Sequence, residues 1–563
     1  MLREQRKNDI SRRTFWVLVV LLVLVKVALS RMQELYVWVG GAPIDDELMF
    51  RAAQSITAGQ WLGAYDWLTL SKHMLFALWA ALCHALHIPY LTAGQLLVCG
   101  AALACAQAFA PVLRKYWQRL AVFALLAFNP AASAAFTLRF YRDNIFPAVC
   151  MLFFAGICGY ALRCRQPLKR GLPWLVLAGL GLAAAWLTRE DGLWLLPFAL
   201  VGGGILLVTA WRQTGPVTQK LARTAVLAVP FVLLYAGVWG YSAMNAQHYG
   251  VFTVSDFSGG SFAEAMGAMN RVEAPVDKPL VSVPEEVRSQ LYAQVPAFAP
   301  LEPWLEEDEN LRNSYCNPKV GDYQAGAFYW AVRRAAAEEG VYDSAPTAEA
   351  YWQQVADQIN AACDSGVLPS TSSKRVGTTP PIRMEHVVPT LLEGGKSFWY
   401  VLTFQDCLPY EAERMSLGLP EQLAVWENYL GSPTNSAAQA GTALPYYHPL
   451  KMLVYKAMNL LRWGYALLLP VLFAAAAVLQ VRRGLALLAL HKAKAIRPGQ
   501  ALLWALLFGL FGMALLRCMM IAFMEVSSFH IGTYVMYLST VHPLLLLFSA
   551  VGCLTELPGQ EAR

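Results

Sequence analysis

Three consecutive carboxylates, Asp45-Asp46-Glu47, follow the first long apolar run of this chain. Ions are costly in hydrocarbon, so an acidic cluster at a water–lipid boundary marks a candidate functional site. A carboxylate in such a place can take a proton from a hydroxyl. An arginine beside it can hold a phosphate through two parallel hydrogen bonds. The chain supplies both groups again in two short turns between apolar runs, Arg139-Phe140-Tyr141-Arg142-Asp143 and Arg189-Glu190-Asp191. Glu525 and His530 stand in a third such turn. The plainer alternative gives these residues structural work. Asp45 then caps a helix whose dipole favours Asp46 and Glu47 in its first turn, and the arginines tie helix ends together.

Which elements bring the turns together follows from the hydropathy. Of 563 residues, 57% are hydrophobic and 15% charged, against about 25% charged in an ordinary soluble protein. The expected fold is an all-α polytopic membrane protein. Apolar runs long enough to span are expected at 15–30, 91–112, 120–138, 145–162, 172–188, 193–211 and 222–242, and again at 455–480, 500–524 and 533–553. Ala28-Leu29-Ser30 has the small residues of a signal-peptide cleavage site, but the first run reads better as an uncleaved helix. Residues 74–86 are apolar over about 13 positions, short of the roughly 20 needed to span, and are expected to form a membrane-surface or re-entrant helix.

The loops give the orientation. Arg114-Lys115…Arg119, Arg163…Arg170, Arg212…Arg223 and Arg482…Arg497 are basic and contain no acid. These belong inside, and the alternate turns carrying the acids belong outside. The expected domains are a membrane module at 1–243, with a catalytic first outer loop at 31–90, an insert at 244–450, and C-terminal transmembrane helices at 451–563. The insert holds 25 Asp/Glu and 12 Lys/Arg, whereas the remainder is basic. Amphipathic stretches such as 323–339 and 349–362 make it mainly helical and extracytoplasmic. Cys316, Cys363 and Cys407 lie in it, and two of them could pair outside the cell. Zinc spacing, a dinucleotide glycine pattern and basic–aromatic interleaving are all missing from the sequence, so nucleic acid is not an expected partner.

These residues resemble the GT-C superfamily of membrane glycosyltransferases, in the branch of bacterial relatives of protein O-mannosyltransferases and the lipid A aminoarabinose transferase. Asp46-Glu47, with the helix ending Ala58-Gly59-Gln60-Trp61, is similar to that family's first-loop acidic motif. Arg139–Asp143 matches the Arg and Asp of its second outer loop. Seven spans with a surface helix in the first loop match its membrane module. Tyr534…Pro543-Leu544-Leu545 is similar to its last-span pattern, although Gly532-Thr533 replaces the arginine expected there.

The resemblance implies an inverting transfer of sugar from a polyprenyl-phosphate donor to a lipid, glycan or protein acceptor on the outer face of a bacterial inner membrane. Asp46 would be the general base, with Asp45 or Glu47 positioning the acceptor. Arg139 and Arg142 would meet the phosphate. Asp143, Arg189, Glu190, Asp191, His530 and Tyr534 would complete the substrate site. No cofactor is called for; a divalent metal is compatible with so many acids but is not assigned. The competing expectations are a flippase for a lipid-linked glycan, a polysaccharide polymerase or ligase, and a non-enzymatic scaffold that displays the insert.

Overall fold

The computed structural model describes residues 9–275, 278–370, 374–377, 382–409, 416–435, 447–493, 498–528 and 534–557. Eight helical segments among them are long and apolar enough to cross a membrane. The chain is an all-α, multi-pass integral membrane protein.

The membrane bundle begins with α1 (Arg12–Met32), whose start is capped by Ser11 accepting a hydrogen bond from the Thr14 amide. Then come α2 (Leu48–Thr57), α3 (Leu75–Ala85), α4 (Tyr90–Ala108), α5 (Tyr116–Ala127), α6 (Phe146–Ala161), α7 (Leu168–Thr188), α8 (Leu196–Arg212), α9 (Val217–Val226) and α10 (Val229–Tyr249). Residues 74–86 form the expected short helix, α3. The run at 120–138 forms a helix only to Ala127, because Asn129-Pro130 opens a tighter turn in which the Asn129 side chain accepts from the Ala131 amide. That early stop shapes the site, since two tight helical turns, Pro130–Ser133 and Ala135–Leu138, then lead to Arg139, which pairs with Tyr36.

The 244–450 segment, continuous in charge, divides by packing. Helices α11 (Ser261–Met269), α12 (Glu285–Gln294), α13 (Glu309–Tyr315), α14 (Ala325–Glu338) and α15 (Ala345–Asp364) enclose a core of their own around Phe262, Phe328 and Trp352. A two-residue β-pair, Cys316–Asn317 with Asp322–Tyr323, lies between α13 and α14. Cys316, Cys363 and Cys407 are all free thiols.

The rest of the segment returns to the bundle. Helix α16 (Met384–Leu402) lies along one of the C-terminal helices, which are α18 (Tyr447–Lys492), α19 (Pro498–Ser527), α20 (Tyr534–Leu538) and α21 (Val541–Leu554). His386 approaches Phe523 at 6.1 Å between rings and Phe398 approaches Phe511 at 6.2 Å, so α16 runs antiparallel to α19. Met384, Val388 and Leu392, four residues apart along α16, remain exposed. Helix α17 (Pro420–Leu430) then covers α2, with Trp426 stacked on Phe50 at 3.8 Å.

Backbone pairing ties this strap to the site. Residues 35–39 run between two partners. Tyr36 pairs with Arg139, while Leu35 and Trp38 pair with Thr434 and Leu417. The Phe140 amide donates to Tyr36 O at 2.9 Å and the Val39 amide to Leu417 O at 3.0 Å.

Helices α6 and α7 touch through glycines. A Cβ on Gly156 would overlap the Ala178 backbone, and one on Gly181 would lie 2.5 Å from Phe153 N. Gly156→Ala is therefore expected to lower stability by about 1–3 kcal/mol through overpacking, more than the helix-propensity gain returns. Gly240→Ala in α10, where nothing lies within 4 Å of the new methyl, should be neutral or stabilising. Thermal unfolding of the two variants in detergent compares them directly.

Candidate functional site

Pro43 begins a helical turn, Pro43–Glu47, that leads directly into α2. Its geometry sends three adjacent acids to different surroundings. Asp45 turns toward α6 and its preceding loop, Asp46 turns inward, and Glu47 turns away. The Glu47 carboxylate accepts from the Gly40 amide at 2.7 Å and borders a separate cleft with Arg51 and Gln54. Glu47 does not join the group described next.

Asp46 is fully enclosed, at 0% exposure. Arg139 donates to it from Nη2 at 2.6 Å and from Nε at 2.9 Å. The general base expected at Asp46 therefore cannot touch a substrate in this conformation, because Arg139 occupies its lone pairs and packed protein excludes everything else. Asp45 keeps 31% of its side chain exposed. It accepts from the Tyr141 hydroxyl at 2.9 Å, forms an ion pair with Lys72, and lies 4.0 Å from Arg139 Nη2.

The network extends from there. Arg142 donates to both Glu190 oxygens, at 2.8 and 2.6 Å, and to the Tyr141 oxygen at 2.8 Å. Arg189 grips Asp143 at 2.9 and 3.1 Å and reaches Asp191 at 3.2 Å. Asp191 meets Arg517, which projects from α19, at 2.7 Å. Asp45, Asp46, Asp143, Glu190 and Asp191 thus face Lys72, Arg139, Arg142, Arg189 and Arg517, one cation per anion. Aromatic faces cover the cations. Trp38 lies 4.1 Å from the Arg139 guanidinium, Tyr537 lies 5.2 Å from Arg189, and Trp330 of α14 lies 5.5 Å from Lys72.

His73 joins the rim of the network to the insert. Its amide donates to Glu190 at 3.0 Å. Its Nδ1 faces Trp186 O at 2.5 Å, which only a protonated nitrogen can do, so Nε2 is left to accept from the Ser258 hydroxyl at 2.9 Å. Burial lowers the His73 pKa and keeps the ring neutral.

Two neighbouring carboxyls are driven apart. For Asp46, burial outweighs Arg139 and lifts the pKa to about 7. For Asp45, burial is overcome by Lys72, Arg139 and Arg142 together, which hold it well below the usual carboxylate range. Burial raises Asp143 against the pull of Arg189.

Eight of the expected site residues therefore meet: Asp45, Asp46, Arg139, Arg142, Asp143, Arg189, Glu190 and Asp191. Tyr534 opens the short helix α20, whose Tyr537 reaches Arg189. His530 lies outside the described residues. Lys72, Tyr141 and Arg517 were not anticipated. Arg517 carried a signal, being a lone cation within an apolar run. Lys72 had none, since its loop reaches Asp45 only after α2 and α3 fold back. Among the described residues no group of three His, Cys, Asp or Glu side chains is arranged to hold a metal ion.

The sequence matches no family model and no curated protein. Among solved structures it is similar to ArnT from Cupriavidus metallidurans in the apo state, at 14% identity and a TM-score of 0.30, over 96% of this chain and 78% of that one. Agreement that loose assigns neither family nor activity, and the functional reading rests on the residues of the site.

The folded protein holds a proton on Asp46 up to about pH 7, whereas an unfolded aspartate releases it near 4. Between those values unfolding releases a proton, so this group's contribution to stability falls as pH rises. Thermal unfolding across that window should show the decline in the wild type, and Asp46→Asn should flatten it. An unchanged slope in the variant would contradict the assignment.

Proposed function

We propose that this site belongs to an inverting glycosyltransferase that moves a sugar from a polyprenyl-phosphate donor to a hydroxyl-bearing lipid, glycan or protein acceptor at the outer face of a bacterial inner membrane. The observation that carries this reading is the partly exposed Asp45, set among Lys72, Arg139 and Tyr141 at one end of a charge-balanced network. The resemblance of the 45–61 and 139–143 motifs to GT-C enzymes supports the same reading.

The chemistry assigns Asp45 as the base. The acceptor oxygen attacks the sugar's C1 from the face opposite the phosphate. The C1–O bond breaks, its electron pair leaves with the lipid phosphate, and the acceptor proton passes to Asp45. A hydroxyl is too weak an acid to ionise beforehand, so the proton moves in the transition state.

At rest Asp45 is a poor base, because its cationic neighbours stabilise the carboxylate. An arriving phosphate competes for those same cations. As Lys72 and Arg142 turn to the donor, Asp45 loses positive partners and its proton affinity rises. Donor binding thus prepares the base. Asp46 acts one step back as a positioning residue that fixes Arg139. Asp143 and Asp191 do the same for Arg189.

A path for the donor's tail lies beside the network. Helices α8 and α19 border an apolar groove of about 290 Å³, lined by Phe198, Val201, Gly202, Gly509, Gly512 and Leu516 among others. Leu516 immediately precedes Arg517, so the groove ends beneath the Asp191–Arg517 pair. An isoprenoid chain there would present its phosphate to the cations from the lipid side.

Purified protein in lipid, given polyprenyl-phosphate sugars, should release polyprenyl phosphate. Asp45→Asn should slow this by about 10²–10⁴-fold, the usual contribution of a general base. Near-wild-type rates in a folded variant would remove Asp45 from the role. Gly512→Leu tests the groove. Nothing lies within 4 Å of a Cβ at that position, so the backbone tolerates the change while the added side chain fills the groove. It should raise KM for a long-chain donor by about tenfold and leave kcat for a short-chain analogue unchanged.

A further inference from the structure

At the end of the bundle opposite the ionic site lies a second cleft, of about 350 Å³. It opens where α6, α8, α18, α19 and the C-terminal end of α21 converge. Arg114, Arg165 and Arg483 line it, with Glu556 at its edge. Among the described residues none of the three arginines has a carboxylate partner.

Arg483 is only 1% exposed. Its Nη2 donates to Gly552 O at 2.6 Å, to Thr555 O at 2.7 Å and to the Thr555 hydroxyl at 2.8 Å. Its Nε and Nη1 are buried without any hydrogen-bond partner, and so is the amide oxygen of the neighbouring Gln500. Orphaned donors on a buried guanidinium are costly, because the ion has given up water and received too little in return. The remedy is an anion with several acceptor oxygens, entering where Arg114 and Arg165 already supply positive charge.

The cleft is also continuous with apolar surface. Ala161 and Leu502 line both this cleft and the groove between α8 and α19. A charged head in the cleft therefore has apolar surface beside it at Ala161 and Leu502, the end of the groove remote from Leu516.

We propose that this cleft binds the phosphate of an anionic phospholipid from the inner leaflet. Arg483 and the two loop arginines hold the phosphate oxygens, Gln500 accepts a hydrogen bond from a headgroup hydroxyl, and the acyl chains lie toward Leu502. Basic pockets between transmembrane helices on the cytoplasmic side suit such headgroups, and the acid-free loops place this end of the bundle inside. The site is distinct from the ionic network and does not depend on what that network catalyses.

The test uses the full chain, delipidated in detergent, with phosphatidylglycerol, phosphatidylcholine and soluble glycerol phosphate as probes. Native mass spectrometry counts retained lipid, and thermal unfolding reads stabilisation. Phosphatidylglycerol should bind in preference to phosphatidylcholine and raise the unfolding temperature. The double variant Arg114→Ala/Arg165→Ala, whose side chains are exposed and outside the packed core, should keep its fold and bind phosphatidylglycerol about tenfold more weakly. Arg483→Gln should do the same; if it fails to fold, the double variant decides the matter. Stabilisation by glycerol phosphate equal to that by the lipid would keep the anion site but overturn its lipid source. Equal binding of the two lipids, or undiminished phosphatidylglycerol binding in the double variant, would overturn the proposal.

Discussion

A carboxylate with no exposed surface, gripped on two edges by one arginine, holds the ionic site together. Neither Asp46 nor Arg139 could stay buried alone. Removing one partner of such a pair typically costs about 3–5 kcal/mol, because the other ion is left without water or counterion. Their bond joins the turn after α1 to the turn before α6. It also brings Asp45 beside Tyr141 and within reach of Lys72. Each further ion pair repeats the logic, so the turns that carry the charges are fastened to one another by groups that must be neutralised locally.

The insert contributes to that arrangement from above. Arg333 of α14 is entirely buried, pairs with Asp256 at 2.7 Å and donates to Trp67 O. On the same helical face Trp330 lies over Lys72 and Arg334 over Trp67. One face of α14 therefore holds the loop that carries Lys72 against Asp45. The strap at 416–435 performs the corresponding service below, by pairing with residues 35–39, which pair in turn with Arg139. The acidic segment is part of the scaffold of the site and not merely an appendage to it.

Charge balance explains how such a structure can be both stable and receptive. Each carboxylate of the network, when ionised, has a cation within reach. The exposed members, Asp45, Glu190 and Asp191, are each about 30% accessible, whereas their cationic partners Arg142 and Arg189 are nearly covered. On the proposed reading, the donor phosphate would exchange with one of these carboxylates for its cation.

Much of this was legible in the chain itself. Hydropathy places eight of the ten expected spans, because the bilayer leaves few alternatives to a helix of sufficient length, whereas α5 and α6 fall short of that length. Acids and arginines confined to alternate turns must then share one face, and eight of the expected residues do meet. Local sequence could not say which of two adjacent aspartates is enclosed. That depends on where Arg139 arrives from 93 residues away. Nor could it foretell that Glu47 turns aside, that α16 lies against α19, or that Lys72 completes the set. Periodicity and composition act over a few residues and determine elements and sides of a membrane. Partnership between buried charges is decided only when distant segments pack, because only then does each ion lose its water and require one particular neighbour.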